Sequence, residues 1–243
     1  MTLQKLTDMR EDLGLVRDQG RRPTCLSFAA SDAHRYALGH TDWLCVEWLY
    51  FYAAKRAGTG PHCGTTMPDT QAILRGTGQP IEAAWPYSPA WPDPASWQPP
   101  ARVSSLYTCE SSSFAPSLDG IRAELLAGRP VVVGVFLSRT YRFPADWTHI
   151  GTEVLLAPDR HEPIDRNDGH AMVIVGHGRH EGAPVMLLRN SWGSRWGHEG
   201  HAWVREDCLA PRLVGAFVIE KGEGDVLQLS LIHISEPTRL RRI

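Results

Sequence analysis

No run in the chain approaches the roughly 20 apolar residues that a membrane-spanning helix needs, so no membrane partner is expected. Neither sign of charge is in excess. The 25 Lys and Arg stand against 27 Asp and Glu, a formal net charge of −2. That balance gives no reason to expect a nucleic-acid partner or an anionic lipid surface. Cysteine is scarce and follows no pairing pattern. The five residues, at 25, 45, 63, 109 and 208, are odd in number and include no Cys-x-x-Cys. A closed disulfide framework is therefore not implied, and a reducing, cytoplasmic compartment is expected. Residues 1–10 lack a long apolar core and are not expected to be a secretory signal. What the chain does have is 243 residues, 42% of them hydrophobic, and nine Trp. That is enough for one large domain or two lobes sharing a cleft.

Residues 1–18 read as a polar lead-in. Helical patterns follow from Cys25 to a stop near Gly39, over 43–56, and over 69–76. Gly58 to Gly64 reads as a loop. The proline-rich stretch 85–100 is expected to be irregular and to mark a boundary between lobes. A short helix over 119–127 ends at Gly128, and 130–136 reads as a buried strand. Residues 138–168 are expected to be one long polar connection, a length that often carries function. Strands are predicted at 170–175, 185–189, 202–204 and 216–219. A helical first half and a β second half argue for an α+β protein.

The stretch Gln19-Gly-Arg-Arg-Pro-Thr-Cys25 places a thiol at a predicted helix start. Leu26, Ala29, Ala30, Ala33 and Ala37 recur at threes and fours along one face, and Thr24 is the expected N-cap. A helix N-terminus carries partial positive charge and free N–H groups, which lower a thiol pKa. A buried cysteine packing as a small hydrophobe fits the same pattern. Arg21 and Arg22 are expected to be solvated loop charges. His170 opens an apolar run directly after Asn167-Asp-Gly, a placement that suits either a cleft residue or a structural hydrogen bond. Asn190 stands at the mouth of the next strand, in Arg189-Asn-Ser-Trp-Gly-Ser-Arg-Trp-Gly197, where it can orient an imidazole on the neighbouring strand. A tight aromatic turn reads equally well there.

Taken together, these motifs resemble the papain-like cysteine peptidases: Gln19-Gly…Cys25-x-x-Phe-Ala, Gly169-His170-Ala, and Asn190-Ser-Trp-Gly-x-x-Trp-Gly197, in the family's order. The resemblance covers 13–220 and looks closest to the bacterial, signal-free branch. It implies an α+β, two-lobed fold: a helical lobe over about 13–105, and an antiparallel, β-barrel-like lobe over about 106–228 that takes in the N-terminal lead-in. The active-site cleft lies between the lobes of a single domain, 1–228. The implied activity is that of a thiol protease, a cysteine endopeptidase acting as a monomer on peptide or protein substrates, with no cofactor and no metal. Cys25 is then the nucleophile and His170 its base, resting as a thiolate–imidazolium pair. Asn190 orients the ring, Trp192 shields that hydrogen bond, and Gln19 with the Cys25 N–H forms the oxyanion hole. Thr65, Thr66, Met67, Gly169 and Trp192 are the implied substrate contacts; Val133 and Val135 are candidate walls or core. Pro-Thr before Cys25, Leu26 after it, and Arg22 where secreted members carry a disulfide cysteine all depart from the family pattern. No long propeptide is expected.

Three other readings are open. Transfer of the acyl group to an amine would make the chain a peptide ligase or acyltransferase. Loss of chemistry would leave an inactive peptide-binding module. The pairs His177-x-x-His180 and His198-x-x-His201, with Cys63 or Cys208, have spacing that can hold zinc. Residues 229–243 resemble a translated sequencing adapter and are expected to be a non-native tail.

Overall fold

The computed structural model describes residues 2–158, 162–220 and 226–227; the tail at 229–243 lies outside them. Strand β1 (Leu3–Asp8) and the helical turn α1 (Arg10–Leu13) come first, then helices α2 (Cys25–Leu38), α3 (Val46–Arg56) and α4 (Met67–Gly76). Strands β2 (Leu106–Tyr107) and β3 (Ser111–Phe114) lead to helix α5 (Leu118–Leu126), strand β4 (Val131–Phe136) and turn α6 (Arg139–Arg142). The remaining elements are β5 (Thr148–Ile150), β6 (Glu153–Leu156), β7 (Gly169–His180), β8 (Ala183–Arg189), β9 (His201–Arg205), α7 (Glu206–Leu209), β10 (Leu213–Ile219) and β11 (Val226–Leu227).

The large sheet runs β3-β10-β4-β7-β8-β9-β6-β5, with β1 added to β7. Its ladders are antiparallel except for β6 on β9, which is parallel. This is the α+β arrangement: helices α2, α3 and α4 pack together, and α2 also meets β4, β7 and β10. Strand β4 is Val-Val-Val-Gly-Val-Phe, with its first five residues buried. Such unbroken apolar runs suit strands covered on both faces. Each fully buried Val or Leu contributes about 1.5–3 kcal/mol over its exposed state.

Four sequence readings change. The lead-in is not merely polar chain: β1 lies along the second half of β7, from Leu3 opposite His180 to Asp8 opposite Gly176. Its ladder needs glycine on the partner strand. A Cβ at Gly176 or Gly178 would stand 2.3 Å from a carbonyl oxygen of Thr7 or Gln4. Helix α3 starts at Val46, not at 43, because Cys45 is extended and its Sγ accepts the Trp48 N–H. Helix α4 starts two residues early, where Thr66 caps it with Pro68 in the first turn. The connection 138–168 contains α6, β5 and β6, too short to show a period of their own. The proline-rich stretch is irregular as expected, and its anchor lies in the helical lobe. Trp97 is buried against Tyr50 and Phe51 and gives its indole N–H to Glu47.

Candidate active site

Cys25 is the first residue of α2 and is half-buried. Thr24 occupies the N-cap position, but its hydroxyl does not cap the helix. The Tyr87 hydroxyl has one hydrogen and gives it to the Gln19 carbonyl at 2.7 Å. The Thr24 hydroxyl must therefore donate to Tyr87 Oη, 2.9 Å away. One phenol thus ties both ends of the loop that carries Gln19. With Thr24 so engaged, the first turn of α2 keeps free N–H groups near the thiol.

Arg22 is not a solvated loop charge. It is 1% exposed and forks onto both oxygens of Glu47 at 2.6 and 2.7 Å. It also donates to Ser88 O and lies over the Tyr50 and Tyr87 rings. A buried guanidinium survives only when paired and hydrogen-bonded in this way, and the bidentate fork also fixes its geometry. The carbonyl of this immobilised residue accepts one Nε2–H of Gln19 at 2.8 Å. Gln19 Oε1 accepts from Ser191 Oγ at 2.7 Å. The orientation of the amide is therefore set, and the second Nε2–H is the donor available to a substrate oxygen. Arg21, in contrast, is exposed.

A hairpin turn at Glu181 and Gly182, both with positive φ, folds β8 back on β7. His170 lies near the start of β7 and Asn190 directly follows β8, so the hairpin brings them together. His170 Nε2 is 2.7 Å from Asn190 Oδ1. That oxygen also accepts the Ser191 backbone N–H, which identifies it as the oxygen of the amide. Nε2 must then carry the hydrogen, leaving Nδ1 of the neutral ring free to take a proton. Trp192 lies over the imidazole, with ring centroids 4.7 Å apart. Gln19 N–H donates to Ser191 O, and Gly193 N–H to Arg17 O, locking the Gln19 loop beside the Asn190 turn.

Gln19, Cys25 and His170 line one cleft of about 720 Å³, with Asn190 behind the ring. Thr65, Met67, Gly169 and Trp192 line it as well. Thr66 does not: it is exposed, and its hydroxyl caps α4 through Asp69 N. Val133 and Val135 are core residues at 0% exposure; Gly134 between them faces the cleft, opposite Val214 and Met67. A Cβ on Gly134 would meet Val214 Cγ2 at 3.0 Å. Sequence reasoning missed Arg142 and Asp168 on the wall, because they fall in the stretch read as one long polar connection, in which no single residue stood out.

Burial pushes the Cys25 thiol up from its ordinary value, and the N–H groups of Ala171, Leu26 and Cys25 itself oppose this without reversing it. The helix terminus therefore does not produce a net lowering. Burial also pushes the His170 imidazole down to about 4, against the Asn190 hydrogen bond. Among the described residues, no three His, Cys, Asp or Glu are placed to hold a metal ion. His198 and His201 are joined by backbone hydrogen bonds, and all five cysteines are free.

The family model for papain family cysteine proteases matches residues 78–210. Cysteine proteinase 3 of Solanum lycopersicum is 46% identical over 207 residues, covering 83% of this chain and 56% of its own length. Thiol protease aleurain of Arabidopsis thaliana is 26% identical, covering 82% and 55%. The chain spans about half the length of the curated relatives it matches. Xylellain, a cysteine protease from Xylella fastidiosa, superposes with a TM-score of 0.69 at 21% identity, covering 91% of this chain and 87% of its own. That likeness concerns the fold.

Proposed function

The chain belongs to the papain family of cysteine proteases, and we propose that it is a cysteine endopeptidase working through Cys25, His170, Asn190 and Gln19. The observation that carries this reading is the single cleft onto which a helix-start thiol, an oriented imidazole and an oriented amide converge. In the proposed reaction, Cys25 Sγ passes its proton to His170 Nδ1 and attacks a substrate carbonyl carbon. Burial disfavours each charge alone. Transfer creates both together, and their attraction in a poorly solvated cleft offsets that cost. The second Gln19 N–H and the Cys25 N–H receive the developing oxyanion. His170 then protonates the leaving amine, and water acting through the same ring releases the acyl group.

The four residues come from one chain, which supports action as a monomer. Five free cysteines, and an ion pair at Arg22 rather than a cysteine, support work in a reducing compartment such as the cytoplasm. An epoxysuccinyl probe should label Cys25. Mass spectrometry of peptide products should then show hydrolysed ends; products joined to an added amine would favour acyl transfer, and no labelling would favour an inactive module.

Two kinetic results are expected. Gln19→Ala should lose about 10²–10³ in kcat, as removal of one oxyanion donor does, while labelling at Cys25 persists. Because burial holds His170 neutral down to about 4, kcat/KM should stay high on the acid side and fall only as pH drops through about 4. A midpoint near the ordinary 6.5 would show a solvated imidazole instead.

A further inference from the structure

Arg142 is the feature of the cleft wall that the reaction scheme leaves without a role. Its guanidinium carbon lies 5.2 Å from the centroid of the Trp192 ring. Trp192 in turn lies 4.7 Å from His170. Adding the two places the guanidinium within about 10 Å of the imidazole. His170 is the group that protonates the leaving amine, so the first residue of the leaving fragment must sit beside it. One residue of chain spans about 3.5 Å, which puts the side chain of that first residue in reach of Arg142.

The hydrogen bonds of Arg142 are one-sided. Nε and Nη2 fork onto Asp168 at 2.5–3.1 Å. Asp168 therefore holds one edge of the group, while Nη1 has no hydrogen-bond partner among the described residues. Its guanidinium carbon lies over the Trp192 ring and one edge is held by Asp168, so less freedom is lost when a ligand binds. Asp168 pairs with this charge, and the rest of the wall brings no further acid. Among the lining residues are three arginines, Arg21, Arg22 and Arg142, and a single acid, Asp168. Arg22 is neutralised by Glu47, and Arg21 is exposed. The other cations near α6 are engaged elsewhere, Arg139 with Asp146 and Arg166 over Phe136.

Building on the peptidase reading, we infer that Arg142 is a specificity-determining residue that receives a carboxylate on the first residue of the leaving fragment. The carboxylate is either an acidic side chain or the substrate's own C-terminus; both offer the planar, two-oxygen group that a guanidinium edge matches.

The test uses quenched peptides that differ only at that residue, which is Glu, Gln or Lys. A second pair ends at that residue with a free carboxylate or an amide. Arg142 is half-exposed, so wild type should favour Glu over Gln by roughly five- to tenfold in kcat/KM, between an exposed and a buried charged hydrogen bond. Arg142→Gln should bring that ratio to about one, and Arg142→Lys should restore part of it. A preference confined to the free-ended pair would assign the carboxylate to the C-terminus. A wild-type ratio of one in both the Glu/Gln pair and the free-ended pair, or a preference that survives Arg142→Gln, overturns the inference while leaving the peptidase reading in place. Failure of wild type to cleave any of the peptides overturns both.

Discussion

Purified protein carrying Cys25→Ala should hydrolyse no peptide above background, a loss on the order of 10⁶-fold, as when the nucleophile of a hydrolase is removed. The loss follows from the arrangement of the cleft rather than from unfolding. Cys25 is half-buried at the start of α2, and alanine is a better helix former. The variant should therefore keep its unfolding midpoint and still bind peptides, and mass spectrometry of products is the measurement that checks it. Cys25→Ser should be nearly as inactive. A hydroxyl is a far weaker acid than a thiol, and an imidazole held at about 4 is a poor base for it. Turnover by purified Cys25→Ala at the wild-type rate would remove Cys25 from the mechanism and, with it, the role of His170.

The parts of this site that were legible in the sequence are those that one element carries alone. A thiol before an apolar stripe marks the start of α2, and two strands separated by a short turn place His170 against Asn190. Distant partners were less visible. Arg22 looked like a loop charge because Glu47 is 25 residues away on another helix, and nothing local signals their pairing. Strand β1 shows no alternation because it is held to β7 by its backbone ladder while most of its side chains are exposed. Thr24 looked like a cap because threonine commonly is one; Tyr87, 63 residues on, takes its hydroxyl instead. Propensity describes what a segment does by itself, and each of these misreadings was decided by a tertiary contact.

The largest expected effect on stability comes from a residue that touches no substrate. Asp32 lies two helical turns beyond Cys25 on α2 and is 6% exposed. One oxygen accepts from Arg17 at 2.8 Å and the other from Arg189 at 2.8 Å. Arg17 stands two residues before Gln19, and Arg189 immediately before Asn190. Arg189 also donates to Gly14 O and Leu15 O, so the lead-in is fastened to the same point. A single carboxylate thus holds together the three segments that carry the nucleophile, the oxyanion amide and the ring-orienting amide. Asp32→Ala leaves two buried guanidinium groups without their shared carboxylate, Arg17 keeping only Glu82 at 3.6 Å, and breaking a buried pair in this way costs about 3–5 kcal/mol. For a chain of this size that lowers the unfolding midpoint by roughly 6–20 °C. The pH dependence tests the cause. Burial raises the Asp32 pKa, but Arg189 and Arg17 outweigh it and hold the carboxyl below its ordinary 3.8. Its stabilisation is therefore fully present above about pH 4 and is lost as pH falls through the lowered folded value. Wild type and variant should differ most at neutral pH and converge in acid. Asp32→Asn keeps the shape and can accept hydrogen bonds but supplies no charge. If it unfolds with the wild-type midpoint at neutral pH, the ion pair is not what holds these segments. If it unfolds with the Asp32→Ala midpoint, charge neutralisation is what the site requires.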